Sequence, residues 1–435
     1  MSSEVSPARE AAAWVLGRCR RFDAWSQQTL DAARSRYHLD ERDAALCTRM
    51  CMSVLQNAAL CDHYIDTASS VPASELEPRV RDVLRLGVVQ LLTMDRIPDP
   101  AAVSQSVELC KRANPRAAGL VNAVLRKIAR CRDTLPEPPD GETAEALSIR
   151  FSHPLWLCEK LLAEHGYEHT RAFLETNNRE PALSLTANLL RTDAVQLAGR
   201  LRGEGFSAET SALSPVSVHL TDAGAVTALP GFAEGDFFVQ DAAAAMGVLA
   251  AAPGKGMRVL DACAAPGGKS LLCASLMGNE GDIAACDIHE KKLAQIVDSA
   301  RRLHMSIIRT AAMDAADPPP DLENGFDLVM ADVPCSGMGV IRKRPEIRYK
   351  DPDALRRLPE VQLRILRGVS RCVRPGGTLL YSTCTVFREE NEDVVGAFLE
   401  ENGDFRMEEC RTIWPQEYDT DGFFYSILKK NEHCQ

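Results

Sequence analysis

Two cysteines stand in company that suits chemistry better than packing. Cys335 lies in Ala331-Asp-Val-Pro-Cys-Ser-Gly-Met-Gly339 and Cys384 in Tyr381-Ser-Thr-Cys-Thr385. Each follows an apolar run that reads as a strand, so each is expected at a strand's carboxyl end. A lone cysteine there reads more simply as a small buried hydrophobe. Two at neighbouring strand ends, one behind Asp-x-Pro, ask for a reaction. A thiolate can add to an electron-poor ring and make the adjacent carbon nucleophilic. Cytosine is such a ring: addition at carbon 6 lets carbon 5 attack a methyl sulfonium, after which the carbon 5 proton and the thiol leave. An acid near the N3 edge favours the addition by stabilising a protonated ring, and Asp332 suits that role. The scheme needs a cysteine, an acid and a proton-handling group in one pocket, and all three are present.

Upstream, Asp261-Ala-Cys-Ala-Ala-Pro-Gly-Gly-Lys-Ser270 forms a glycine-rich strand-to-helix turn. Such a turn lets backbone approach a ligand and offers it helix N–H groups. Gly268-Lys269-Ser270 imitates the end of a phosphate-binding loop, but Cys263 stands where that loop needs a glycine. A nucleoside-type cofactor fits the spacing better. The second strand ends in Asp287, 20 residues past Gly267, a separation at which an acid bonds ribose hydroxyls. The third leads to Asp314, suited to an adenine amino group. Together these favour S-adenosylmethionine over ATP.

Net charge is −11, which by itself argues against a nucleic-acid partner, but the distribution is uneven. Residues 332–374 carry 11 Lys/Arg against 5 Asp/Glu, and residues 1–133 carry 19 against 16. Between the two cysteines runs Ile341-Arg-Lys-Arg-Pro-Glu-Ile-Arg-Tyr-Lys350. Beside the expected pocket, Arg342, Lys343, Arg344 and Arg348 would grip an RNA backbone, the alternative being a solvated loop. His165 and His169 are spaced as metal ligands can be, but no third ligand is in view, so no metal is expected.

The elements that must position these groups follow from periodicity. Apolar residues recur at helical spacing in 11–19, 44–60, 79–93, 103–110 and 119–128, predicting a helical domain over 1–132. Asp40 and Pro78 supply helix-start signals. The proline- and acid-rich stretch 133–144 is a linker. Residues 145–234 mix helices (155–165, 168–177, 193–204) with strands (183–189, 216–220), an α+β unit. From 235 to 435 strands at 258–261, 282–287, 306–310, 326–332 and 377–381 alternate with helices, with another strand at 422–428. That alternation predicts a mostly parallel sheet covered by helices, with ligands outside the carboxyl ends of its strands.

The chain is 435 residues long and 45% hydrophobic, and no apolar run is long enough to span a bilayer, so no membrane partner is expected. The opening MSSEVSPARE lacks the layout of a secretory signal, and the 15 cysteines form no CxxC pair. A reducing, cytoplasmic setting is expected, with Cys47 and Cys51 buried as small hydrophobes.

The same residues resemble, over nearly the whole chain, the bacterial 16S ribosomal RNA cytosine-5 methyltransferases of the RsmB (Sun or Fmu) family. The catalytic matches are Val239-Gln-Asp241, 261–270, Asp287, Asp314, 332–339, 341–349 and Ser382-Thr-Cys-Thr385. Val83-Leu-Arg-Leu-Gly-Val-Val-Gln-Leu-Leu92, Ile97-Pro98, Ser106-Val-Glu108 and Leu120-Val-Asn-Ala-Val-Leu-Arg126 resemble the NusB-type RNA-binding fold. The resemblance implies a Rossmann-like α/β methyltransferase domain with a seven-stranded sheet, preceded by an all-α NusB-like domain and a small α+β linking subdomain. It implies S-adenosyl-L-methionine on Cys263, Ala264, Ala265, Pro266, Gly267, Gly268, Lys269, Asp287, Asp314 and Asp332. It makes Cys384 the nucleophile and gives Cys335 the release of product. It points to a monomer acting on 16S ribosomal RNA, free or in an immature small subunit. One departure is Asp241-Ala-Ala-Ala-Ala245, where relatives often carry an acid and serines after the Gln-Asp pair.

Two other functions compete. Amino-group methyltransferases place Asn/Asp-Pro-Pro-aromatic after the fourth strand, where this chain has Asp332-Val-Pro-Cys335. A non-catalytic RNA-binding protein would need only the helical domain and would leave the cofactor and cysteine motifs without purpose.

Overall fold

The computed structural model describes residues 5–22, 26–221 and 223–432 and divides into two compact units. Residues 1–4 of the opening stretch read above lie outside the described residues. No helix among the described residues is long and apolar enough to cross a membrane.

The first unit comprises residues 1–178 together with 343–350. Its helices are Pro7–Phe22, Ser26–Arg36, Glu41–Ala68, Pro78–Leu92, Asp99–Ala113, Ala118–Arg130, Ala144–Phe151 and Leu155–Thr176. Each expected helical stretch is present, and Asp40 caps the third helix by accepting the Asp43 N–H at 2.7 Å. The core gathers Val15, Met50, Leu84, Val124 and Leu125, and includes Cys47 and Cys51. Helices Pro78–Leu92 and Ala118–Arg130 pack so closely at Gly87 that a Cβ there would lie 2.5 Å from Leu125 Cδ1. Helix Ser26–Arg36 was not foreseen, because only Ser26, Thr29, Leu30 and Ala33 of its polar sequence are buried. The two helices expected at 155–177 are one, interrupted at Gly166 with φ +74°.

Helix Glu41–Ala68 is kinked at Asn57 (φ −124°, ψ 25°). A kink frees backbone groups that must find other partners. Ser152 Oγ accepts the Ala59 N–H at 2.8 Å, Arg348 donates to the Gln56 carbonyl at 3.0 Å, and the Tyr349 hydroxyl donates to the Leu55 carbonyl at 2.7 Å. The segment 343–350 therefore belongs to this unit as a set of caps. Glu346 adds another, accepting from Ser26 N–H at 3.0 Å and from its hydroxyl at 2.9 Å.

The second unit holds residues 179–342 and 351–435. The stretch expected to stand alone at 145–234 is thus divided: its helices Ala144–Phe151 and Leu155–Thr176 join the first unit, and its strands, with helix Ala194–Gly203, the second. Those strands are β1 (Leu183–Ala187), β2 (Ser207–Thr210), β3 (Ser217–Thr221) and β4 (Phe237–Val239), an antiparallel sheet in the order β2-β3-β1-β4. β2 and β4 are too short to show a period in sequence. Next come β5 (Arg258–Asp261), β6 (Asp282–Asp287), β7 (Ile308–Ala312), β8 (Phe326–Asp332), β9 (Val373–Thr383), β10 (Phe405–Ile413) and β11 (Phe423–Lys430). They form one seven-stranded sheet in the order β10-β11-β9-β8-β5-β6-β7. β9, β8, β5, β6 and β7 pair in parallel, and β11 and β10 are antiparallel. β10 escaped the sequence reading because only its ends, Phe405 and Ile413, are buried. Its charged, bulged middle suits an edge that must not recruit another strand.

Candidate active site

After β5 the chain moves to β6 and β7 on one side, then returns to β8 on the other. Such a reversal opens a crevice at the carboxyl end of the strand where it occurs. Four acids line that edge. β8, β5 and β6 end at Asp332, Asp261 and Asp287, and Asp314 follows two residues after β7.

The glycine-rich turn after β5 is held by these acids. Asp287 accepts the Ala265 N–H at 3.3 Å and the His289 N–H at 2.8 Å, tying the turn to the end of β6. Buried Asp261 accepts from the Ser270 hydroxyl at 2.6 Å, and burial pushes its carboxyl up to about 6 against the opposing pull of Ser270 and Lys269. Gly267 has φ +115°, and a Cβ on it would press Ile296 Cγ1 at 3.1 Å; one on Gly268 would meet Gln240 Nε2 at 3.2 Å. Helix Gly268–Leu276 starts from this turn, and its Lys269 Nζ lies 2.6 Å from Asp332 Oδ2. Exposed Asp314 accepts the Ala316 N–H at 2.9 Å.

The donor set tests the two cofactors weighed from sequence. A triphosphate would meet Asp287, Asp314 and Asp332, with Asp261 buried behind them against Ser270, and one lysine already paired with Asp332. That field repels anions and attracts a cation. A sulfonium with hydroxyl and amino groups to donate fits these residues, and a phosphate chain does not.

The cysteines come next. β8 and β9 pair with Asp332 opposite Ser382, and the Ser382 hydroxyl donates to Asp332 Oδ1 at 2.9 Å. That register brings Cys335 and Cys384, each just past its strand's pairing, into contact: their sulfurs are 3.0 Å apart, and the Cys384 N–H donates to Cys335 Sγ at 3.3 Å. Both are free thiols of intermediate burial. The hydrogen bond with Cys384, reinforced by burial, holds the Cys335 thiol well above the ordinary range. Cys335 therefore keeps its proton. The geometry provides a thiol pair, an Asp–Lys pair and a cofactor crevice within one strand edge.

The basic stretch corrects the sequence reading. Arg342 is 5% exposed, donating to the Glu180 carbonyl at 2.6 Å, to the Arg179 carbonyl and to Asp419. Arg348 is 0% exposed, with donors on the Gln56 and Ser152 carbonyls and on Asn178 Oδ1. Burial lowers its guanidinium to about 10. Neither can present itself to a phosphate, because each already serves protein acceptors that would otherwise be orphaned. Of the other two, Lys343 is half-buried and Arg344 exposed. Asp241 caps helix Ala242–Ala251 by accepting the Ala243 N–H at 2.9 Å.

Three residues beneath the thiols were missed. Gln362, Glu390 and Asn391 are buried and bond the two cysteine turns. The last two stand in Arg388-Glu-Glu-Asn-Glu-Asp393, which reads as a solvated charge run and gives no sign that its middle is buried.

Comparison with known proteins accords with this geometry. Residues 248–429 match the model of the 16S rRNA methyltransferase RsmB/F family, residues 6–130 that of the NusB family, and residues 153–227 that of the ferredoxin-like domain of RsmF/B-like methyltransferases. The chain is 33% identical to the probable ribosomal RNA small subunit methyltransferase B of Bacillus subtilis, covering 97% of this chain and 98% of that one. It is 34% identical to ribosomal RNA small subunit methyltransferase B of Salmonella typhi, over 90% and 91%. The crystal structure of PH0851 superposes with a TM-score of 0.81 at 26% identity, covering 99% of this chain and all of that one. With relatives matched over nearly their whole length, the chain belongs to the ribosomal RNA small subunit methyltransferase B family.

Proposed function

We propose that this methyltransferase makes 5-methylcytosine in 16S ribosomal RNA through a covalent bond between Cys384 and the base. The observation that carries the reading is the thiol pair: two sulfurs 3.0 Å apart beside Asp332, one of them holding its proton. S-adenosylmethionine, held by the turn 263–269 with Asp287, Asp314 and Asp332, would supply the methyl group as a sulfonium carbon.

The chain's own residues carry the rest. Cys384 Sγ, as thiolate, bonds carbon 6 as the C5–C6 π bond opens. N3 takes a proton from solvent as carbon 6 is attacked and donates it in a hydrogen bond to Asp332. Asp332 lies between Lys269 and Ser382 and so stabilises the protonated ring; N3 releases that proton when carbon 5 is methylated. Carbon 5 takes the methyl group with its freed electron pair. Once Cys384 is a thioether, it no longer exerts the leading influence that raises Cys335, so Cys335 can give its proton to solvent. Its thiolate then takes the carbon 5 proton. Those electrons rebuild the double bond and expel the Cys384 thiolate, returning both sulfurs to their resting states. Lys343, Arg344 and the helical domain, similar to an RNA-binding family, would hold the RNA backbone.

The test mixes Cys335→Ala protein with 16S ribosomal RNA and S-adenosylmethionine and runs a denaturing gel. A protein–RNA band that survives denaturation and vanishes in the Cys335→Ala/Cys384→Ala double variant is expected. Methyl transfer by Cys384→Ala protein at a substantial rate would overturn the assignment.

A further inference from the structure

We infer that Glu390 and Asn391 are positioning residues that lock the two cysteine turns to each other. The inference rests on the proposed thiol chemistry. The first turn, Pro334-Cys335-Ser336, is held by the Glu390 carboxylate: its Oε2 accepts the Ser336 N–H at 2.8 Å and Gln362 Nε2 at 2.8 Å. The same Gln362 nitrogen donates to the Pro334 carbonyl at 3.0 Å, so the residues on both sides of Cys335 are fixed. The second turn, Thr383-Cys384-Thr385, is held by Asn391: its Oδ1 accepts the Thr383 hydroxyl at 2.6 Å and its Nδ2 donates to the Thr385 carbonyl at 3.1 Å. Both sides of Cys384 are fixed as well. A direct bond between Ser336 and Thr385 hydroxyls, 2.8 Å, closes the frame.

Adjacency in sequence makes this a clasp. One side chain grips each turn, and a single peptide bond joins the two grips. The pair is anchored from below, since the Tyr381 hydroxyl donates to the Glu390 carbonyl at 2.6 Å and the Asn391 carbonyl accepts the Val395 N–H at 3.1 Å at the start of helix Glu392–Glu401. Glu390 is 1% exposed, and Gln362, Asn391, Thr383, Thr385 and Ser336 are all 0% exposed. Burying a carboxylate is costly and is offset only by well-placed donors, which here are those that define the Cys335 turn. Neither residue touches the sulfurs, so Asn391 acts on the reaction through separation, while the Glu390 charge also helps to raise the Cys335 thiol. A misplacement of about 1 Å can lower a rate by about 100-fold.

The separation can be read directly with dibromobimane, whose two bromides are displaced by two thiolates within reach to give a fluorescent bridge. Cys335→Ser protein gives the background from other cysteines. Asn391→Ala protein should lose most of the bridging signal and about 10- to 100-fold in kcat, with affinity for S-adenosylmethionine held within about twofold. Glu390→Gln, which keeps an acceptor for the Ser336 N–H, should retain more of both than Glu390→Ala. Wild-type bridging and kcat in folded Asn391→Ala protein would overturn the inference. Should that variant not fold, Thr383→Val removes only the hydroxyl that Asn391 accepts, and unchanged bridging there overturns it equally. If wild-type protein makes no 5-methylcytosine yet Asn391→Ala loses the bridge, the function reading fails and the clasp stands. If wild-type methylates and the variant matches it in both assays, the clasp fails alone.

Discussion

Cys384 donates its backbone N–H to the sulfur of Cys335 and also places its own sulfur 3.0 Å from it. Two thiols this close cannot ionise independently. The bond to Cys384 comes first among the influences that raise Cys335, with burial second. Thiolate, and not thiol, is the species that reacts with alkylating agents.

It follows that limited iodoacetamide at pH 8 should modify Cys384 before Cys335, as read by peptide mass spectrometry. In Cys384→Ala protein the leading influence on Cys335 is gone, its thiol falls, and its alkylation should accelerate several-fold. Equal rates for Cys335 in the two proteins would show that the contact does not govern its proton.

Arg348 and Arg344 should separate stability from RNA binding. Arg348→Ala leaves the Gln56 and Ser152 carbonyls without their buried donor. A loss of about 3 kcal/mol in urea unfolding is expected for the first unit. Exposed Arg344→Ala should change stability by less than about 0.5 kcal/mol and instead weaken RNA binding and flatten its salt dependence. The prediction fails if Arg348→Ala unfolds like wild type, or if Arg344→Ala binds RNA with the wild-type salt slope.

Asp261 gives a pH signature. Folded, its carboxyl is raised to about 6 from an ordinary 3.8. The folded state therefore binds the proton more tightly than the unfolded chain. Its contribution to stability is full below the ordinary value and is lost as pH rises through about 6. Asn at this position keeps an acceptor for Ser270 and does not titrate. The stability of Asp261→Asn relative to wild type should grow between about pH 4 and pH 6 and level off above, by on the order of a few kcal/mol. Denaturant midpoints that differ by a constant amount across this range would refute it.

Much of this protein is legible in its sequence, for a local reason. Strands β5, β6 and β8 are largely buried runs and could be bounded closely, and their final residues Asp261, Asp287 and Asp332 then fall at the sheet's carboxyl edge by construction. The cysteines were legible for the same reason, since each closely follows such a strand. Short or one-sided elements were not. β2, β4 and β10 lack a buried period, and helix Ser26–Arg36 shows an apolar face too narrow to detect.

What only tertiary structure decided is which charged groups are spent inside. Arg342, Lys343, Arg344 and Arg348 are one basic run in sequence, but burial and the carbonyls waiting at a helix kink turn Arg348 into a cap and leave Arg344 outside. Glu390 and Asn391 sit in an equally polar run, and their burial beneath two cysteine turns cannot be read from neighbours three or four residues away. Sequence determined the strand ends and the chemistry they can carry, because those depend on local pattern. The partners that hold the chemistry in place come from residues far apart along the chain, and only the packed fold brings them together.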